Sequence, residues 1–415
     1  MALGRIALNG VAGAILTVAC ASDKGNIVAE EAGVDGSTSG TGGKVGAGGS
    51  SSGGKTGSGG ATTGSGGSTA GSGGKGLPDA GVPDSDGGGP SAPSLCGGMT
   101  GDDLVTCGQY IVQNIDACGD CHTPRLSNGA PDTTKLLAGS PSFTDLTADP
   151  NDGVGNIPAP NLTTLKQDGW TSAEIIDAIQ SGKVSKAHGG KALFPAMPYV
   201  TFHNMAAIDA QAIAAFLSSL TPISNDIPAR EPLPNGLDTM LPVPPVNPGD
   251  IPDPMLDPSD PSYADAMFGK YLAAEVGPCL DCHTERLPDL TVDMAHPFGG
   301  GQRFELGNPF GTVISANLTT DPKTGLQNWT PGLIQKLLQT GVNNEGETIC
   351  PPMPVGPMGA FAGITNAHAL AIGAYITHLP PVSTGGDGGG PFPLCVLPKA
   401  PDGGSTDGGK TDAGP

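Results

Sequence analysis

The sequence predicts an all-α protein built from two tandem copies of one small helical unit, and three observations carry that expectation. Apolar residues recur at helical spacing ahead of two Cys-x-x-Cys-His runs, Cys118-Gly-Asp-Cys121-His122 and Cys279-Leu-Asp-Cys282-His283. The residues flanking the runs repeat in register: Gly108-Gln-Tyr110 aligns with Gly269-Lys-Tyr271, each Tyr eight residues before the first Cys. The repeat also continues past the runs to a closing amphipathic segment in each copy, which distinguishes a duplicated fold from a duplicated motif.

The chain opens with Arg5, an apolar run from Ile6 to Ala19, and Cys20. The run is too short to cross a bilayer as a mature helix, so residues 1–20 read as an export signal. Leu16-Thr17-Val18-Ala19-Cys20 resembles a bacterial lipobox, which would lipidate Cys20; ordinary signal cleavage nearby is the alternative. The expected location is therefore the bacterial periplasm or cell envelope, with a lipid anchor to a membrane. Residues 21–95 are expected to form a flexible linker, because Gly36 to Pro90 is almost wholly Gly, Ser, Thr and Ala and cannot bury enough surface to offset its ordering entropy. The net charge of −21 argues against nucleic acid and against a polybasic membrane patch, both of which need clustered Lys and Arg.

Copy one spans 96–226. Its first helix starts at Thr100-x-x-Asp103 and carries Leu104, Cys107, Gly108, Ile111, Val112 and Ile115 on one face. Asn161-Leu162-Thr163-Thr164, Trp170 opening the segment Ser172 to Ile179, and Pro195-Ala-Met197-Pro198 follow, and Ile208 to Leu220 closes the unit. Copy two spans 259–382 and offers Asn317-Leu318-Thr319-Thr320, Trp329 before Pro331 to Leu338, Pro352-Met353-Pro354, and a closing helix from Ala367 to Leu379. In each copy the Gly and the Tyr of the first helix are expected to pack on the closing helix of that same copy. Between the copies, 227–258 is dense in Pro and should be an extended connector that wraps or spaces them. The Gly- and Asp-rich tail, 383–415, should be loose.

A Cys-x-x-Cys-His run is the attachment signature of a c-type haem: two thiols add to the porphyrin vinyls and the adjacent imidazole binds iron. A thioredoxin-like pair or half a zinc site is the competing reading of each Cys-x-x-Cys. Zinc would need the two pairs to meet, yet they lie about 160 residues apart, each with its own His. Two covalently bound haem c groups are expected, held by Cys118, Cys121 and His122 and by Cys279, Cys282 and His283. For the sixth iron ligand, Met197 lies 75 residues after His122 and Met353 lies 70 after His283, each followed by a Pro that keeps the stretch non-helical. Met205 and Met358 are the alternative thioether donors. His188, His203, His296, His368 and His378 do not recur in register and read as surface or capping residues. Arg125 and Arg286, each three residues past the haem His, and the paired Trp residues read either as donors near the haem or as a solvated Arg and a core Trp.

Four further cysteines remain once Cys20 and the haem pairs are assigned. An even remainder in an exported chain favours disulfides, Cys96 with Cys107 and Cys350 with Cys395 by proximity, with a buried helical thiol the competing reading for Cys107.

Gly-x-Tyr before Cys-x-x-Cys-His-Thr, then Asn-Leu-Thr, a Trp opening a helix, Pro-Ala-Met-Pro-Tyr and an Ala-Phe-Leu or Ala-Tyr-Ile closing helix together resemble class I cytochrome c domains. More narrowly, the pattern is similar to the cytochrome subunits of periplasmic alcohol, aldehyde and gluconate dehydrogenases. The resemblance implies axial pairs His122 with Met197 and His283 with Met353, and electron relay from a dehydrogenase donor toward quinone or an oxidase-side acceptor. The chain departs from it in having two haem runs where those subunits commonly carry three, and in reading Met353-Pro-Val rather than Met-Pro-Tyr. No dinucleotide fingerprint, His-Glu-x-x-His or nucleophile motif is present in the sequence, so an electron carrier is the leading reading and no catalytic residue is assigned. The alternative is a di-haem oxidoreductase, peroxidase-like or thiosulfate-dehydrogenase-like, with catalysis at one haem. A surface lipoprotein in long-range extracellular electron transfer is a third.

Overall fold

A computed structural model of the chain describes residues 93–126, 130–141, 157–305, 312–349, 351–357 and 359–384, all within the unit Gly73–Pro415. The expected export signal with Cys20, most of the expected Gly/Ser linker, Cys350, Met358, Cys395 and the tail from Gly385 lie outside the described residues. Helices dominate and strands are few. Residues 93–226 make up the first segment and 259–384 the second.

Helix α1 (Gly101–Asn114) begins where Asp102 and Asp103 complement the positive end of its dipole, although the Thr100 side chain makes no capping bond. Cys107 on its buried face is joined to Cys96 by a disulfide, with Cα atoms 5.9 Å apart. The Cys-x-x-Cys-His run forms the single turn α2 (Cys118–His122). Helix α3 (Ser172–Ser181) is started by a capping box between Thr171 and Glu174 and stopped by Gly182 at φ 64°, a left-handed conformation that favours glycine. The short turn α4 (Tyr199–Phe202) and the closing helix α5 (Ala207–Ser219) complete the first segment.

Matching positions in the second segment adopt matching elements. Helix α6 (Tyr263–Tyr271) runs on into a π-helical turn, Leu272–Val276, before α7 (Cys279–Cys282). Helix α8 (Pro331–Thr340) has Thr330 as its N-cap and ends at Gly341, φ 71°. Helix α9 (Asn366–Ile376) closes the segment. A small antiparallel hairpin, β1 (Arg303–Glu305) with β2 (Thr312–Ile314), lies between α7 and α8 and has no counterpart in the sequence-based expectation.

Each first helix crosses its own closing helix at a glycine. A Cβ on Gly108 would stand 1.9 Å from the Ala212 carbonyl oxygen, and one on Gly269 would stand 1.9 Å from that of Ala371. Only glycine admits that approach of two backbones.

The tyrosines behave differently from the expectation. Tyr110 reaches across to the second segment, where its hydroxyl accepts from Thr365 N at 3.1 Å and lies 2.8 Å from His368 Nδ1. Tyr271 returns the exchange, accepting from Ala206 N at 3.1 Å and donating to Asp209 at 2.5 Å. Ala206 and Thr365 are the N-cap positions of α5 and α9, so each segment satisfies an orphan amide of the other.

The connector wraps. It buries Leu233, Val243, Val246 and Ile251 against both segments, and Tyr199 Oη accepts from Val243 N while Tyr375 donates to the Pro252 carbonyl.

Gly108→Ala and Gly269→Ala should each cost about 1–3 kcal/mol through forced separation of the crossed helices, whereas Gly332→Ala, with nothing within 4 Å of the added methyl, should change little. Denaturant unfolding of the three variants checks the contrast.

Candidate functional site

The site is built on α2 and α7. A single helical turn points both thiols of each pair to one side, and Cys118, Cys121, Cys279 and Cys282 are free of disulfides. Burial pushes the Cys121 and Cys279 thiols up to about 12. Burial raises Cys118 and Cys282 well above the ordinary value too, with further repulsion from Asp116 and Asp281 respectively. A reactive thioredoxin-type pair needs the opposite, a depressed thiol.

Each motif histidine is fixed by a backbone carbonyl. His122 Nδ1 lies 2.8 Å from the Pro160 oxygen, and His283 Nδ1 lies 2.8 Å from the Ala316 oxygen. Burial lowers both imidazole pKa values, so the rings are neutral. A neutral ring donating from Nδ1 keeps the Nε2 lone pair for a metal.

The carbonyls are held by the Asn-Leu-Thr repeat, whose purpose the sequence alone left open. Asn161 Oδ1 accepts from Thr163 N and Oγ1 at 2.9 and 2.7 Å, and Asn317 Oδ1 does the same from Thr319 at 2.9 and 2.6 Å. The amide ends, Asn161 Nδ2 and Asn317 Nδ2, donate to the carbonyls of Ile223 and Val382, each at 2.8 Å, just past the closing helices. Ile223 N and Val382 N donate back to the Thr163 and Thr319 hydroxyls. The result is an Asx turn clasped to the end of each segment.

One continuous cavity of about 2020 Å³ is lined by all eight predicted site residues: Cys118, Cys121, His122, Met197, Cys279, Cys282, His283 and Met353. Pockets for ordinary small molecules hold about 300–1,000 Å³, so this one has room for bodies of a larger kind. Ile175, Ile213 and Leu217 line it from the first segment; Ile334, Ile372 and Ile376, each 159 residues further on, line it from the second. Paired thiols, an imidazole and a thioether in an apolar chamber are the donor set that a covalently attached haem requires.

The methionine loops correspond in backbone detail. Tyr199 N donates to the Met197 carbonyl at 2.7 Å, and Val355 N donates to that of Met353 at 2.9 Å. Met205 stands outside the cavity walls, 3% exposed in the core, in register with Ile364 at the same 3%. It is core filler; Met358 is not among the described residues.

The remaining candidates divide. His188 reaches the cavity wall, stacked on Trp170 with ring centroids 4.2 Å apart and 3.6 Å from Glu174. His203, His296, His368 and His378 are not in the wall, and neither is the half-buried Trp329. Arg125 and Arg286 both border the cavity, Arg125 with its side chain 47% exposed and Arg286 with 13%. Burial raises Asp120 to about 6. Two buried carboxylates escaped the sequence reading. Asp209 on α5 accepts from Leu95 N and Cys96 N, both at 2.8 Å, and Asp116 lines the cavity with an Oδ1 that has no hydrogen-bond partner among the described residues. For Asp116 the one visible signal was its position two residues ahead of Cys118, and for Asp209 there was none.

No family model matches the chain. It is 28% identical over 300 residues to the cytochrome c subunit of a quinone-type alcohol dehydrogenase from Gluconacetobacter polyoxogenes, covering 67% of this chain and 56% of that protein. The corresponding subunit from Gluconobacter oxydans is 30% identical over 254 residues, 57% of this chain and 47% of its own length. The gluconate 2-dehydrogenase cytochrome c subunit of Pantoea cypripedii is 32% identical over 130 residues, 31% and 26%. The chain thus spans about half the length of the first two relatives.

Asn317→Ala should cost about 1–3 kcal/mol by leaving buried partners unsatisfied, measured by denaturant unfolding, and Asn161→Ala should behave alike. Burial, and then the nearby Asp209 charge, raise the Asp116 pKa well above 3.8. The folded state therefore holds a proton that the unfolded chain releases, and stability falls as pH rises above about 3.8. Asp116→Asn should flatten that fall in unfolding experiments run from pH 4 upward.

Proposed function

We propose that this chain, which resembles the cytochrome c subunits of alcohol, gluconate and fructose dehydrogenases, is a di-haem c-type cytochrome of two tandem class I domains. It would take electrons from a dehydrogenase partner and pass them toward quinone or a terminal acceptor. The domains are 96–226 and 259–382, and the location is the periplasm or cell envelope, with an anchor at Cys20. The observation that carries the reading is the shared cavity, into which both Cys-x-x-Cys-His turns and both proline-flanked methionines open.

Cys118 and Cys121 would hold one haem and Cys279 and Cys282 the other, with His122 and Met197, and His283 and Met353, as the residues that would bind the two irons. When bound, each haem supplies a one-electron iron couple whose potential a thioether ligand raises relative to two imidazoles. The polypeptide holds, orients and insulates. Pro160 and Ala316 aim the imidazoles, the Asn-Leu-Thr clasps keep those carbonyls in place, and apolar walls from α3, α5, α8 and α9 exclude water. The carrier reading is supported further by the names of the relatives, which are cytochrome subunits of dehydrogenases.

Protein matured in an exporting host should stain for haem in a denaturing gel and carry the mass of two haems; Cys279→Ala with Cys282→Ala should leave one. Emergence of colourless wild-type protein at bare polypeptide mass would sink the reading. Rapid carbon monoxide binding at one ferrous iron, together with peroxide turnover, would replace the carrier by an oxidoreductase.

A further inference from the structure

Arg286 occupies the position in the second segment that Arg125 occupies in the first, three residues past the motif histidine. The two side chains have different surroundings. The Arg125 side chain is 47% exposed and reaches its own attachment turn at 3.4 Å from the Asp120 carbonyl and 4.0 Å from its carboxylate. Arg286 is 13% exposed, and its partner Asp281 is 9% exposed. Its Nη2 donates to Asp281 Oδ1 at 2.5 Å and to the Pro195 carbonyl at 2.9 Å, while Nη1 donates to the Leu290 carbonyl at 2.8 Å.

Those partners belong to different sites. Asp281 stands inside Cys279-Leu-Asp-Cys282, the second attachment turn, whereas Pro195 lies two residues before Met197 on the loop of the first. Both sites open into the same cavity, and Arg286 borders it. A planar guanidinium can bond a carboxylate and a carbonyl at once in fixed geometry, which an ammonium does poorly.

We propose that Arg286 is a positioning residue for the opposite iron: braced on the second attachment turn through Asp281, it holds the Pro195–Met197 loop and thereby helps set the reduction potential of the first haem rather than of its own. The proposal rests on the di-haem reading above. Its ligand-side chemistry is thioether coordination, which is sensitive to how firmly the loop presents the sulfur, since a well-held Met raises the potential.

Spectroelectrochemical titration of the exported holoprotein tests it, after its haem content has been measured. Met197→His and Met353→His assign the two waves, because an imidazole in place of a thioether lowers the potential of that iron. Arg286→Gln should keep both haems, weaken the red absorption band of the sulfur-bound ferric iron, and make the first haem about tenfold harder to reduce, a fall of about 59 mV for one electron, with the second wave unmoved. Asp281→Asn should shift the same wave in the same direction, and Arg286→Lys should recover part of it. If Arg286→Gln does not fold, the Lys and Asn variants carry the same comparison. A shift confined to the second wave, no shift in either, or an equal shift from Arg125→Gln overturns the proposal while the di-haem reading stands. A wild-type protein without haem overturns both.

Discussion

The bond from each motif imidazole to a backbone carbonyl is the constraint on which the rest of the architecture depends. His122 and His283 are buried, so each needs a partner for its N–H, and the partner chosen decides which nitrogen faces the cavity. A carbonyl in a loop is a poor anchor unless the loop itself is fixed. The Asx turns at Asn161 and Asn317 do that fixing, and they are fastened in turn to the chain just beyond α5 and α9. Histidine orientation is thereby referred back to the helix crossings at Gly108 and Gly269.

Much of this was legible in the sequence, for identifiable reasons. Helical periodicity is local, and the repeated Trp170 and Trp329 mark where two of the segments open, so α1, α3, α5, α8 and α9 could be placed. Repetition in register picked out Met197 and Met353 from ten methionines, because a core methionine has no need to recur beside a proline. Asn161 and Asn317 were visible as a repeated motif, but not their purpose, since their partners Ile223 and Val382 lie more than sixty residues away.

What was illegible is what passes between the segments. Gly108 and Tyr110 are two residues apart on one helix and were expected to pack on the same neighbour. Gly108 does meet α5, whereas Tyr110 crosses to α9, and no periodicity distinguishes those destinations. The same limit hid Arg286: its sequence position equals that of Arg125, and only the tertiary placement of Pro195 separates a buried brace from a half-exposed side chain. The hairpin Arg303–Glu305 with Thr312–Ile314 is too short to leave an alternating pattern.

The reciprocal tyrosines carry a consequence for how the molecule comes apart. Tyr110 completes the start of α9 and Tyr271 the start of α5, so opening either segment strips a partner from the other and exposes an amide that had been satisfied. The exchange thus couples the opening of the two segments, because loss of either one removes a hydrogen-bond partner from a helix start in the other.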